Sequence, residues 1–135
     1  MILIADDNQA DARLILEAFR ENGLAESCEI ASDGVQCLQK LRSGPRPRLL
    51  VLDLNMPKMN GMQVLHEVKS DSDLRLIPVV ILTTSDADRD ILESYKLYAN
   101  SYITKPLDLD EFIGVVGKMY EYWFGVGKLP NCVTV

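Results

Sequence analysis

Apolar residues along this chain come in short dense runs, and amphipathic stretches separate the runs at regular intervals. Ile2-Leu3-Ile4-Ala5, Arg48-Leu49-Leu50-Val51-Leu52, Val79-Val80-Ile81-Leu82 and Ser101-Tyr102-Ile103-Thr104 each close abruptly on a polar or charged residue. Runs of this length without alternation predict strands of a parallel sheet buried on both faces. Cys28-Glu29-Ile30-Ala31 is a weaker run of the same kind. The intervening stretches carry helical spacing. Leu14, Ile15, Ala18 and Phe19 follow a cap at Asn8 and end at Gly23, and Val35, Leu38 and Leu41 follow Ser32 or Asp33 and end at Ser43-Gly44-Pro45. Met62, Val64, Leu65 and Val68 follow a loop from Asn55 to Gly61. Asp86 is expected to cap a fourth helix and Asp108 a fifth, over about residues 109–124. Five βα units in register predict one α/β domain, a doubly wound five-stranded parallel sheet, over residues 1–124. Residues 125–135 are expected to form a short C-terminal extension, too short for an output domain.

What closes the runs matters more than the runs. The first strand ends on Asp6-Asp7, the third on Asp53, the fourth on Thr83 and the fifth on Lys105-Pro106. In open α/β sheets, ligands bind at the carboxyl edge, where the strand order reverses. Three carboxylates, a hydroxyl and an ammonium are therefore expected to converge there. Carboxylates so close repel unless a cation neutralises them, and hard oxygen donors with room for water suit Mg²⁺. A central carboxylate can attack phosphorus to give an aspartyl phosphate. The metal, Lys105 and Thr83 would then stabilise charge on the transferring oxygens. Asp6-Asp7 taken alone would read as helix caps, and Thr83 and Thr84 as β-branched strand ends.

Composition removes other function classes. The chain of 135 residues carries a formal net charge of -6, the wrong sign for a surface that grips nucleic acid phosphates. No apolar stretch reaches the roughly 18–20 residues that span a bilayer. Cys28, Cys37 and Cys132 are an odd set without Cys-x-x-Cys spacing, the usage of reduced thiols in a cytoplasmic protein. The single histidine, His66, lies between core positions of the third helix and is expected to be exposed, with no partner motif.

Taken together, Asp6-Asp7, Asp53 with Met56-Pro57 and Gly61, Thr83, and Tyr102 with Lys105-Pro106 resemble the receiver domain of two-component response regulators. The resemblance implies the flavodoxin-like strand order 2-1-3-4-5. It implies that Asp53 accepts phosphate and Asp7 binds Mg²⁺ directly, with Asp6 acting partly through water. The backbone carbonyl of Asn55 would be a further ligand, and Lys105 would pair with the phosphoryl group. It also implies a cis bond before Pro106, and a switch in which Thr83 moves inward and Tyr102 turns into the vacated space.

The segments Tyr98–Pro106 and Tyr120-Glu121-Tyr122-Trp123-Phe124 are similar to single-domain regulators that serve phytochromes, so a phytochrome-type histidine kinase is the implied partner. Tyr98 stands where most receivers have the glycine that closes the fourth helix. Thr84 stands where alanine or glycine is usual; its bulk either narrows access to Asp53 or, the better reading, simply ends the strand. A haloacid dehalogenase-type phosphotransferase also uses a strand-end aspartate and Mg²⁺, but it wants an acid where this chain has Asn55. A flavodoxin-like binding module would want a Ser/Thr/Gly-rich phosphate loop in place of Asp6-Asp7-Asn8-Gln9.

The last helix is apolar over more than one face. Phe112, Val115, Val116, Met119 and Trp123 form one stripe, and Ile113, Gly117, Tyr120 and Phe124 form a second. The second stripe is either the flank of a thick amphipathic helix or, with Tyr95 and Tyr98, an interface. As an interface it predicts a homodimer through the fourth and fifth helices, with Tyr120 and Phe124 near its centre.

Overall fold

Each apolar run becomes a strand. The computed structural model describes residues 1–24 and 26–130. In it β1 (Ile2–Ala5), β2 (Cys28–Ala31), β3 (Leu49–Leu52), β4 (Val79–Thr83) and β5 (Ser101–Thr104) pair in parallel. Their order is β2-β1-β3-β4-β5, as expected. The helices between them are α1 (Gln9–Glu21), α2 (Gly34–Ser43), α3 (Gly61–Ser70), α4 (Asp88–Lys96) and α5 (Leu109–Tyr120).

The two-residue period of the strands divides the core into two layers. Leu3, Ala5, Leu50, Leu52, Val79 and Ile81 pack on one face with Leu38 and Leu41 of α2 and Val64, Leu65 and Val68 of α3. Their neighbours Ile2, Ile4, Leu49, Val51, Val80 and Leu82 pack on the other with Ile15 and Phe19 of α1 and Phe112, Val116 and Met119 of α5. Strands covered on both sides have no solvent face to alternate with, which is why their sequences read as continuous apolar runs.

Local chemistry fixes most helix ends. The Asn8 side chain accepts from the Asp11 amide, Asp33 from Gln36 and Asp108 from Glu111. Asn60 and Gln63 form a reciprocal capping box at the start of α3. Asp86, in contrast, does not cap α4. That helix starts after Ala87 with no side-chain cap. The Ser85 hydroxyl accepts from the Ala87 amide at 3.3 Å and donates to Asp90 at 2.6 Å, which organises the turn and moves the helix start past Asp86. α5 also departs from expectation. Its α-helical part ends at Tyr120, and Glu121–Val126 continue as a π-helical turn.

Tyr98 adopts φ 69°. Its amide donates to Tyr95 and the Ala99 amide donates to Ser94, the bond pattern of a Schellman motif, so a tyrosine holds the left-handed position that usually falls to glycine. No peptide bond among the described residues is cis. The bond before Pro106 is therefore trans, the intrinsically favoured isomer, and corrects the expectation.

Candidate functional site

Strand pairing delivers the site. The Asp53 amide donates to Ala5 and the Asp6 amide to Ala31, so both acids continue the ladder one residue past their strands. Side chains there face the crevice between β1 and β3, where the strand order reverses. Gly61 keeps the following loop close. A Cβ on it would stand 2.1 Å from the Asp53 carbonyl oxygen, and its amide donates to Leu54 at 2.9 Å. No side chain can occupy that position without pushing the Asp53 backbone away.

Lys105 is the centre of the cluster. It is buried, and its ammonium donates to Asp6 at 2.7 Å, to Asp53 at 2.8 Å and to Asp11 at 3.0 Å. Its own amide donates to the Thr83 carbonyl at 2.6 Å, which fixes where the side chain starts. The second oxygen of Asp6 accepts from the Asn8 amide and that of Asp53 from the Asn55 amide. Burial pushes Asp6 up to about 6, although Lys105 and the Asn8 amide pull the other way. Burial alone would lower Lys105, but hydrogen bonds to Asp53 and Asp6 outweigh it and hold the ammonium above its ordinary value.

The residues present fit a hard divalent cation. Asp6, Asp7 and Asp53 each offer a carboxylate oxygen, and these oxygens lie within 4.8 Å of one another. Asp7 is exposed and, with Asn55, Met56, Pro57 and Asp90, lines an open cavity of ≈ 490 Å³ that leaves room for water and a phosphate. The Thr83 hydroxyl is fully buried at the end of β4 and has no hydrogen-bond partner. A buried hydroxyl without a partner is costly, and here it stands at the strand end beside β3, where an incoming anion would supply an acceptor. Thr84 is exposed and lies outside the cavity lining.

Tyr102 is half-buried, and its hydroxyl donates to the Ser85 carbonyl at 2.8 Å. Tyr95, Tyr98 and Ile113 are exposed, as an interface requires. Tyr120 and Phe124 are not bare. They stack on each other with ring centroids 5.0 Å apart, and both pack against Phe19 of α1, at 5.6 and 6.3 Å. Both remain partly exposed, so the expected set divides between two rings leaning on α1 and three exposed side chains, Tyr95 on α4, Tyr98 just past its end and Ile113 on α5.

His66 is exposed. Cys28 and Cys37 are free thiols, raised by burial to about 11 and about 12; Cys132 lies outside the described residues. Among the described residues no helix is long and apolar enough to cross a membrane.

Sequence reasoning missed Asp11. A signal was present, because helical Cβ bonds tilt toward the N-terminus and a first-turn acid after a strand-end Asp-Asp leans back over the sheet edge. It also missed Asp90, which meets Ser85 and shares the cavity with Asp7.

Comparison with known proteins agrees with this geometry. The family model described as response regulator receiver domain matches residues 2–116. The chain is 41% identical to a probable methanogenesis regulatory protein, FilR2, of Methanothrix harundinacea, over 97% of this chain and 88% of that protein. It is 37% identical to response regulator Rcp1 of Synechocystis, over 96% of this chain and 92% of Rcp1. The structure of the Mn²⁺-bound form of Rcp1 superposes with a TM-score of 0.93, covering 96% of this chain and 98% of that one. The phosphorylated cyanobacterial phytochrome response regulator RcpA superposes at 0.92 with 40% identity, covering 96% and 97%. The haloacid dehalogenase-type alternative finds no support among these matches.

Proposed function

Because the chain belongs to the response regulator receiver family, we propose that it is a phosphoacceptor in which Asp53 takes a phosphoryl group from a histidine kinase. The observation that carries the assignment is the Lys105 ammonium shared between Asp6 and Asp53 at the buried sheet edge. A lysine so placed holds an attacking carboxylate in position and can turn its protons to an incoming phosphoryl oxygen.

Receiver domains bind a divalent metal, and we assign Mg²⁺ here to Asp6, Asp7, Asp53 and the backbone carbonyl of Asn55. When bound, the metal supplies the positive charge that offsets the carboxylates and the phosphoryl oxygens. The chain's own groups do the rest. An Asp53 oxygen attacks phosphorus as the bond from phosphorus to the donor histidine nitrogen breaks. Lys105 takes up charge on the transferring oxygens, and the Thr83 hydroxyl gains the acceptor it lacks. Its inward movement leaves space that Tyr102 fills. The protein is thus a signalling component rather than an enzyme with an outside substrate, catalysing only its own phosphotransfer and dephosphorylation.

A receiver unit over residues 1–124 with a short extension over 125–135 accords with this role, as does a cytoplasmic location away from membrane and nucleic acid. The likeness to Rcp1 and RcpA supports a phytochrome-type kinase as partner. We further propose a homodimer through α4 and α5, with Tyr95, Tyr98 and Ile113 in the contact and with Tyr120 and Phe124 supporting it from behind. The test is labelling with acetyl phosphate or a phosphohistidine donor in the presence of Mg²⁺. The wild type should gain one acid-labile phosphoryl group, and Asp53→Asn or EDTA should abolish the gain. Undiminished labelling of Asp53→Asn would remove the assignment, and a phosphotransfer profile against the source organism's histidine kinases, phytochromes included, names the donor.

A further inference from the structure

Lys105 has three carboxylate partners, and they are not equivalent. Asp6 and Asp53 belong to the group whose oxygens can share a cation; Asp11 does not. Its side chain is about a quarter exposed, against near-complete burial of the other two. It comes from the first turn of α1, where Asn8 caps its amide, so the helix start holds it in place. Once a cation and a phosphoryl group claim oxygens of Asp6 and Asp53, Asp11 is the carboxylate left to Lys105 beside the phosphoryl oxygens.

Two consequences follow from charge alone. A fourth negative charge at the rim attracts a divalent cation and repels a phosphate dianion. Asp11 also competes directly with that phosphate for the ammonium. We propose that Asp11 is a positioning residue for Lys105, holding the ammonium at the rim so that the site favours the divalent cation and discriminates against small free phosphodonors.

The proposal rests on the phosphoacceptor reading, and one set of variants separates the two. Asp11→Asn keeps the shape and a hydrogen-bond acceptor but removes the charge; Asp11→Glu keeps the charge. Calorimetric titration with Mg²⁺ alone should give a dissociation constant roughly threefold to fivefold higher for Asp11→Asn, the worth of about one partly solvated charge interaction. The KM for acetyl phosphate at saturating Mg²⁺ should fall by a similar factor, and Asp11→Glu should return both constants toward wild type. Opposite movement is the signature, because a variant that merely loosens the site weakens both affinities together. Parallel weakening, or no change in either constant, overturns the proposal while the phosphoacceptor reading stands. A wild type that takes up no phosphoryl group overturns both.

Discussion

Two clusters in this molecule join residues that are far apart in sequence, and they do so at opposite cost. At the carboxyl edge, Asp6, Asp53 and Lys105 are buried with their charges. At the outer ends of α1 and α5, Phe19, Tyr120 and Phe124 bury rings against one another. Taking like charges out of water is unfavourable even with an ammonium between them. Burying aromatic surface is favourable, and ring pairs add about 0.5–1.5 kcal/mol beyond area. On the phosphoacceptor reading proposed above, the first cluster serves chemistry at the expense of stability and the second serves stability alone. Substitutions should therefore move stability in opposite directions, and only those at the sheet edge should touch phosphoryl uptake.

The largest effect is expected in the aromatic cluster. Phe19 is fully buried, and Phe19→Ala should cost about 3–5 kcal/mol in urea unfolding. The fraction that remains folded should still label on Asp53. Tyr120→Ser/Phe124→Ser should likewise lower the denaturation midpoint. If that double variant instead keeps its stability and only dissociates a dimer, the stack is an interface and the contrast between the two clusters fails.

Asp6→Asn tests the other side. Asp6 is nearly inaccessible, and its folded value of about 6 exceeds the ordinary 3.8. The folded state therefore binds the proton more tightly than the unfolded state does. Below about pH 4 both states are protonated and the burial carries no charge penalty. As pH rises through about 6 the penalty is fully developed, to an upper limit near 3 kcal/mol for a shift of roughly two pKa units. The metal-free Asp6→Asn protein should accordingly be more stable than wild type by about 1–2 kcal/mol at pH 8, with the difference vanishing near pH 3.5. Mg²⁺ should then stabilise the wild type and not the variant. Wild-type Mg²⁺ affinity should fall as pH drops below about 6, since the proton competes for Asp6. A variant less stable than wild type at pH 8 would mean that the ion pair outweighs desolvation.

The sheet edge was far more legible in the sequence than the aromatic cluster. Asp6, Asp53, Thr83 and Lys105 each close an apolar run, and a strand end is a fixed place in a parallel sheet, so one-dimensional position became three-dimensional position. The bounds of β1, β3 and β4 were readable because burial on both faces leaves no charged residue inside those runs, whereas the edge strands β2, with exposed Glu29, and β5 are only half covered and read more weakly. Asp11 was hidden by a sufficient local explanation, since an acid in a first helical turn needs no further cause. Asp86 misled because a cap depends on where the turn closes, which Ser85 and Asp90 decide. The pairing of Tyr120 with Phe19 joins α5 to α1, and helical spacing records only which residues of one helix share a side. It does not record what lies opposite.

The smallest expected effect separates the closed aromatics from the open ones. Tyr98 holds a left-handed backbone at φ 69°, which costs an L-residue about 1–2 kcal/mol. Its ring is 75% exposed, so nothing within the chain repays that cost through burial. Tyr98→Gly removes the strain but gives the unfolded chain more freedom, worth about 0.5–1 kcal/mol the other way. The net gain for a monomer should lie between about 0 and 1.5 kcal/mol, a rise of at most roughly 5 °C in Tm at about 3.5 °C per kcal/mol for a chain of this length. If the ring is kept for a dimer through α4 and α5, the same variant should associate more weakly while its monomer becomes more stable. Circular dichroism melting at low micromolar concentration reads the first quantity, and sedimentation velocity across a concentration series reads the second. Higher Tm with weakened association assigns the exposed tyrosine to the homodimer. Higher Tm with unchanged association removes the exposed tyrosine from the homodimer. A lower Tm would show that the tyrosine is held by contacts within the chain, and would place Tyr98 with Phe19 and Tyr120 rather than opposite them.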